Sequence, residues 1–126
     1  MTSTPAERPL LEVRDLYTYF QTLEGMARAI DGVSFALQRG RTLGIVGESG
    51  SGKSVLSRTI MDILAKDGSV IHDGEVIFEG RNLNQLSERD MRLIRGREIS
   101  IVFQDPMSSL NPVMKIGKQI TEVLIK

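Results

Sequence analysis

Residues 47–54 read Gly47-Glu48-Ser49-Gly50-Ser51-Gly52-Lys53-Ser54, a match at every fixed position to the pattern G-x-x-x-x-G-K-[S/T]. The stretch before it, Thr42-Leu43-Gly44-Ile45-Val46, is short and mostly apolar and runs into a glycine, which suits a buried strand. After it, Leu56, Ile60, Ile63 and Leu64 recur at helical spacing and predict one apolar face of an amphipathic helix. Strand, glycine loop and helix, in that order, form the setting a phosphate-binding loop requires. The plainer reading is a Gly/Ser turn between a strand and a helix; the flanking elements favour the phosphate loop.

The residue types follow from the chemistry. A polyphosphate carries several negative charges in a small volume and needs many donors around it. Gly47, Gly50 and Gly52 carry no Cβ, so the backbone can approach the anion closely. The consecutive N–H groups of the loop can then form a concave nest for the anion. The helix beginning near Lys53 adds unpaired N–H groups and the positive end of its dipole. The Lys53 ammonium would reach the β- and γ-phosphates, and the Ser54 hydroxyl would ligate Mg²⁺. The loop does not specify which nucleotide carries those phosphates.

The whole chain narrows the classes. Its 126 residues suit one small domain. Lys plus Arg and Asp plus Glu are both 16, so there is no basic excess of the kind a nucleic-acid surface needs. The absence of cysteine excludes disulfides, thiolate metal sites and a Cys nucleophile. No apolar run approaches the length of a membrane span. Residues 1–9 lack the apolar core of a secretory signal and read as a short disordered lead-in.

Outward from the loop, Leu10 to Leu16 alternates apolar and charged residues as a half-exposed strand would, followed by an aromatic group, Tyr17, Tyr19 and Phe20. Glu24-Gly25 signals a turn, and Ala27 to Leu37 reads as one or two short strands broken at Asp31-Gly32. These pieces predict a small antiparallel sheet preceding the loop. On the other side, Asp67-Gly68 and Asp73-Gly74 bracket a polar connection, and Glu75 to Glu79 reads as a strand. Ser87 with Asp90 resembles a capping box, and Leu86 with Met91 a hydrophobic staple, so a helix is expected from Glu88 to about Arg95, ending at Gly96. Glu98 to Phe103 reads as an apolar strand, Gln104 to Pro112 as a loop, and a last helix starts near Val113 with Ile116, Ile120, Val123 and Leu124 on one face. Only two or three stretches, around Thr42, Glu98 and Glu75, could enter a buried parallel sheet, which needs several covered strands. The chain therefore reads as the N-terminal part of a larger domain.

Three stretches carry a family resemblance. Gly44 to Ser54 (GIVGESGSGKS), Ala29 to Phe35 (AIDGVSF) followed by Gly40, and Ile101 to Pro112 (IVFQDPMSSLNP) together resemble the nucleotide-binding subunit of an ABC transporter of the oligopeptide, dipeptide and nickel importer group. The resemblance spans residues 10–126 and implies an α/β fold, a P-loop NTPase of the ABC type with an N-terminal antiparallel β-subdomain, truncated after the Q-loop. It implies ATP and Mg²⁺ as cofactors. Gly47, Glu48, Ser49, Gly50, Ser51, Gly52, Lys53, Ser54 and Val55 would hold the nucleotide, Ser54 and Gln104 the metal, and Lys53 and Gln104 would act in catalysis. Phe20 would stack on the adenine, with Tyr19 and Tyr17 as alternatives; all three could equally be packing residues of the hairpin.

The family's signature motif, Walker B aspartate, catalytic glutamate and switch histidine all follow the Q-loop, beyond these residues. His72 precedes it and is expected as an exposed loop residue. The implied partners are transmembrane permease subunits, a second ATP-binding subunit (homo- or heterodimer) and, indirectly, a solute-binding protein, at the cytoplasmic face of the inner membrane, with no nucleic acid. The implied function is ATP binding, with ATP hydrolysis in the full-length form, to power import of peptides or nickel. The alternative is a truncated, non-hydrolysing nucleotide-binding remnant. Small GTPases and nucleoside kinases are more distant; they need neither the antiparallel lead-in nor the QDPMSSLNP loop.

Overall fold

The computed structural model describes residues 8–104, 110–122 and 124. The antiparallel sheet expected ahead of the loop is its main feature. β1 (Leu11–Thr22) and β2 (Gly25–Leu37) form a long hairpin, and β3 (Val70–Phe78) and β4 (Arg81–Asn82) complete the order β2-β1-β3-β4. Among the described residues three α-helices accompany it, α1 (Lys53–Ile60), α2 (Glu88–Ile94) and α3 (Ile116–Glu122), with a short 3-10 turn at Leu83–Gln85.

One face of the sheet is covered and the other is open. Val13 and Leu16 of β1, Ile30 of β2, and Val76 and Phe78 of β3 meet Leu56 of α1, Leu83, and Met91 and Ile94 of α2 in a single core. Val13 and Leu16 are three apart, a spacing that a regular strand would send to opposite faces. A bulge resolves it. The β1–β3 register runs from Arg14↔Glu75 to Tyr17↔Asp73, so Asp15 and Leu16 together oppose Gly74. Asp15 takes a φ of 46°, and a Cβ on Gly74 would lie 2.5 Å from the Asp15 carbonyl oxygen. Only glycine fits there. Asp73-Gly74 therefore lies inside a strand and does not end a connection, and His72 sits in β3 opposite Thr18 rather than in a loop. In the same way, Asp31-Gly32 is an irregularity within one continuous β2.

α2 starts and stops as its sequence predicts. The Ser87 side chain accepts the Asp90 N–H, Met91 is buried against the core, and Arg95 and Gly96 end the helix. α1 is shorter than its apolar spacing suggests: its last helical residue is Ile60, with Met61 as the cap, because Asp62 is left-handed with a φ of 54°. The Ile63 N–H bonds to the Arg58 carbonyl and the Asp62 N–H to the Thr59 carbonyl, a Schellman closure. Ile63 and Leu64 thus fall beyond the helix. α3 begins at Ile116, three residues after Val113; Val123 lies outside the described residues, as do residues 105–109 of the expected loop and residues 1–7 of the lead-in.

Two expected strands do not form. Thr42 to Val46 and Glu98 to Phe103 are without a ladder among the described residues, apart from one isolated bridge between Arg95 and Ile99. A strand is defined by its hydrogen-bonded neighbour, and neither stretch pairs with any of β1 to β4. Val46 and Val102 are each 95% exposed as a result.

Candidate functional site

Ser49 to Val55, Ala29 and Gln104 line one open cleft of about 390 Å³, within the range of small-molecule sites. The loop is shaped by two left-handed glycines, Gly50 (φ 83°) and Gly52 (φ 99°). Gly52 is also seated against β2: a Cβ there would stand 2.7 Å from the Ala29 carbonyl oxygen. The sheet thus fixes the point at which the loop becomes helix.

Gly52 caps α1 with no side-chain hydrogen bond, and the first helical bond is Leu56 N–H to the Gly52 carbonyl at 2.8 Å. The N–H groups of Lys53, Ser54 and Val55 therefore have no acceptor within the helix. All three residues line the cleft, so these donors and the dipole's positive end are gathered where an anion would sit. Lys53 Nζ turns back over the loop. It donates to the Gly47 carbonyl, to the Glu48 carbonyl at 3.0 Å and to Ser51 Oγ at 3.3 Å. Ser51 N–H in turn bonds to the Glu48 carbonyl at 3.1 Å.

Besides Leu56 in the core, side-chain contacts tie α1 to its surroundings. Thr18 Oγ1 and Thr59 Oγ1 lie 2.8 Å apart with both residues buried, and Thr59 also donates to the Val55 carbonyl at 2.8 Å. The Thr59 proton is thereby committed, so Thr18 donates between the hydroxyls. Near the helix end, the Arg58 guanidinium sits 5.7 Å from the centroid of the Phe103 ring, one residue before Gln104.

The structure therefore brings Ser49, Gly50, Ser51, Gly52, Lys53, Ser54, Val55 and Gln104 together, with Gly47 and Glu48 joined to them through Lys53. Phe20 is not among the cleft's lining residues. It is half-buried in β1 opposite Ala27, two residues along β2 from Ala29. Tyr19 donates to Asp31 at 2.7 Å, lies under Arg28 and packs edge-to-face on Tyr17, so these two tyrosines are engaged within the hairpin. Ala29 had no signal in the sequence; a small residue in a strand becomes part of the site only through the close approach of Gly52. Among the described residues no group of three or more His, Asp or Glu side chains is placed to hold a metal. A cation here would rest on hydroxyl, amide and phosphate oxygens, a donor set that suits Mg²⁺.

The chain is similar to known proteins over most of its length. The ABC transporter family pattern matches residues 30–124. An oligopeptide transport ATP-binding protein of Bacillus subtilis is 56% identical over 93% of this chain and 33% of its own length. A dipeptide transport ATP-binding protein of Lactococcus lactis is 54% identical over 96% of this chain and 34% of its own. The chain thus spans about a third of the length of the curated relatives it matches. A solved dimeric structure of a bacterial ABC transporter cassette superposes with a TM-score of 0.71 at 23% identity, covering 91% of this chain and 47% of that one. With the loop, the antiparallel subdomain and these likenesses all in register, the chain belongs to the ABC transporter family, with the fold of an ABC ATPase cassette.

Proposed function

We propose that the cleft binds ATP with Mg²⁺ and that the protein serves as the ATP-binding subunit of a peptide importer. The observation that carries this reading is the convergence of three unpaired helix N–H groups, the Lys53 ammonium and Gln104 on one cleft. The N–H groups of Glu48 to Val55 hold the phosphates, Lys53 reaches the terminal ones, and Ser54 and Gln104 supply oxygens to the cation. When bound, Mg²⁺ supplies charge neutralisation to the phosphate chain. Gln104 orients water for hydrolysis in the full-length form. Phe20, although outside the cleft's lining, is the ring proposed for the adenine.

The names of the relatives support peptides as cargo, with permease subunits and a second ATP-binding subunit as partners and Glu48 to Ser51 facing the latter. Nickel is the other cargo in this group. Among the described residues no helix is long and apolar enough to cross a membrane, which suits a peripheral subunit at the cytoplasmic face.

Calorimetric titration with ATP and Mg²⁺ tests the site. Lys53→Ala should weaken binding at least about tenfold, the scale of a lost charge-assisted contact; unchanged affinity would overturn the assignment. A second reading, a non-hydrolysing remnant, draws support from the exposed, unladdered stretches that hold Val46 and Val102. Intact mass of the protein from its own cells separates the two. A mass well above that of 126 residues supports the ATPase subunit; a mass equal to it supports the remnant.

A further inference from the structure

The stretch that carries Gln104 has no sheet neighbour among the described residues, so something else must set its distance from the phosphate loop. Its two ends are both fastened to the C-terminal end of α1. At the near end, Arg95 Nε donates to the Met61 carbonyl at 2.8 Å and Nη2 to the Asp62 carbonyl at 2.7 Å, while Nη1 meets Glu88 Oε1 at 2.7 Å. The Met61 carbonyl belongs to the cap of α1 and the Asp62 carbonyl to the left-handed residue just beyond it; the helix's own N–H ladder reaches neither, and the positive guanidinium lies at the negative end of the helix dipole. Arg95 is only 19% exposed, and its fork spans three acceptors that a lysine could not reach together.

Asp62 explains why the clamp closes there. It stands left-handed at the position where helices usually place glycine. Its carboxylate meets Lys66 Nζ at 2.8 Å, and Lys66 also reaches Glu88 at 3.3 Å. The carboxylate thus gives this turn a link to α2 that glycine could not. From Arg95 the chain makes one tight turn, in which Gly96 N–H bonds to the Ile99 carbonyl at 2.8 Å, and then runs directly to Gln104. At the far end Phe103 lies against Arg58, in the last turn of α1. α1 therefore carries Lys53 and Ser54 at its start, while its last turn and the cap that follows hold both contacts of the segment that presents Gln104.

We infer that Arg95 is a positioning residue for the nucleotide site: by binding the Met61 and Asp62 carbonyls at the end of α1 it sets the gap between Ser54 and Gln104 into which a phosphate-bound divalent cation fits. The inference rests on the proposed ATP site and adds to it a residue remote from the cleft. Its mark is selective. Loss of the clamp leaves the loop and its grip on phosphate intact and loosens only the part of binding that depends on the cation.

The test measures ATP affinity of the chain in Mg²⁺ and in excess EDTA, for wild type, Arg95→Met, Arg95→Lys, Gln104→Ala and the Arg95→Met/Gln104→Ala double variant. Arg95→Met should leave the EDTA affinity within about twofold and cut the gain from Mg²⁺ by roughly tenfold, the scale seen when an outer support of a metal site is lost. Arg95→Lys should fall between, and it carries the comparison should the methionine variant fold poorly. The double variant should be no worse than Gln104→Ala alone. An equal loss with and without Mg²⁺, or full additivity with Gln104→Ala, would mean that Arg95 only stabilises the fold and would overturn the inference. If wild type binds no ATP, or Lys53→Ala changes nothing, the site itself is refuted and the inference falls with it, an outcome distinct from the first.

Discussion

The antiparallel sheet and the phosphate-loop segment solve the same problem in opposite ways. β1, β2 and β3 satisfy one another: every long strand has a neighbour, and Val13, Leu16 and Val76 are removed from water. The segments around the loop carry residues of similar character in Ile45, Val46, Val102 and Phe103, yet these stand exposed and without a ladder. The loop nonetheless has a defined shape, because it takes its position from the sheet through Gly52 on Ala29 and Thr18 on Thr59. A binding loop can thus be placed by neighbours it does not belong to, while the strands that flank it remain open.

The sharpest way to break this contrast is to remove the same kind of apolar side chain from each side. Leu16→Ala should cost about 3 kcal/mol in urea unfolding, as expected for a fully buried leucine. Val46→Ala and Val102→Ala should stay within about 0.5 kcal/mol. Equal losses on the two sides would show that the open stretches are packed after all.

Next in size is the seam between the two regions. Gly52→Ala must place a side chain at a φ of 99° and against the Ala29 carbonyl. It should cost about 2 kcal/mol and abolish detectable ATP binding, whereas full binding by this variant would detach the loop's geometry from β2. Thr59→Val should cost about 1 kcal/mol by stranding the buried Thr18 hydroxyl, and adding Thr18→Val should restore most of it. Additive losses in that double variant would remove the hydroxyl pair from the account.

The smallest effect belongs to Glu88, whose carboxyl is held down at about 2 by its hydrogen bond to Arg95 and then by Lys66. A depressed carboxylate stabilises the fold above its ordinary value of 4.5 and loses that contribution as pH falls toward its folded value. The melting-temperature gap between wild type and Glu88→Gln should accordingly be full above about pH 5 and close as the pH is lowered toward 2. A gap independent of pH across that window would mean that the carboxylate charge plays no part.

What the sequence discloses follows from how local each feature is. The glycine loop that leads into α1, the Ser87 cap and the Gly96 stop are written in adjacent residues and are found where expected. The sheet is visible in outline, but Asp73-Gly74 looks like a turn because the reason for its glycine, the bulge at Asp15, lies on another strand. The end of α1 depends on Asp62 and on an arginine more than thirty residues away, so its apolar spacing overstates its length. The stretches Thr42 to Val46 and Glu98 to Phe103 show strand composition truthfully, but composition records a taste for burial and does not name a neighbour.

Lys53 is the residue whose arrangement reaches furthest. Its ammonium is already satisfied by two carbonyls and a hydroxyl of the loop. Recruiting it is therefore an exchange: a ligand must outcompete three neutral oxygens that cost the chain nothing to present. A hydroxyl or an amide offers no better acceptor than those it displaces. A phosphate does, because its bonds to the ammonium are charge-assisted. On the proposed reading, the loop thus acts as a threshold as well as a receptor, favouring entrants by charge density before any base or sugar is inspected.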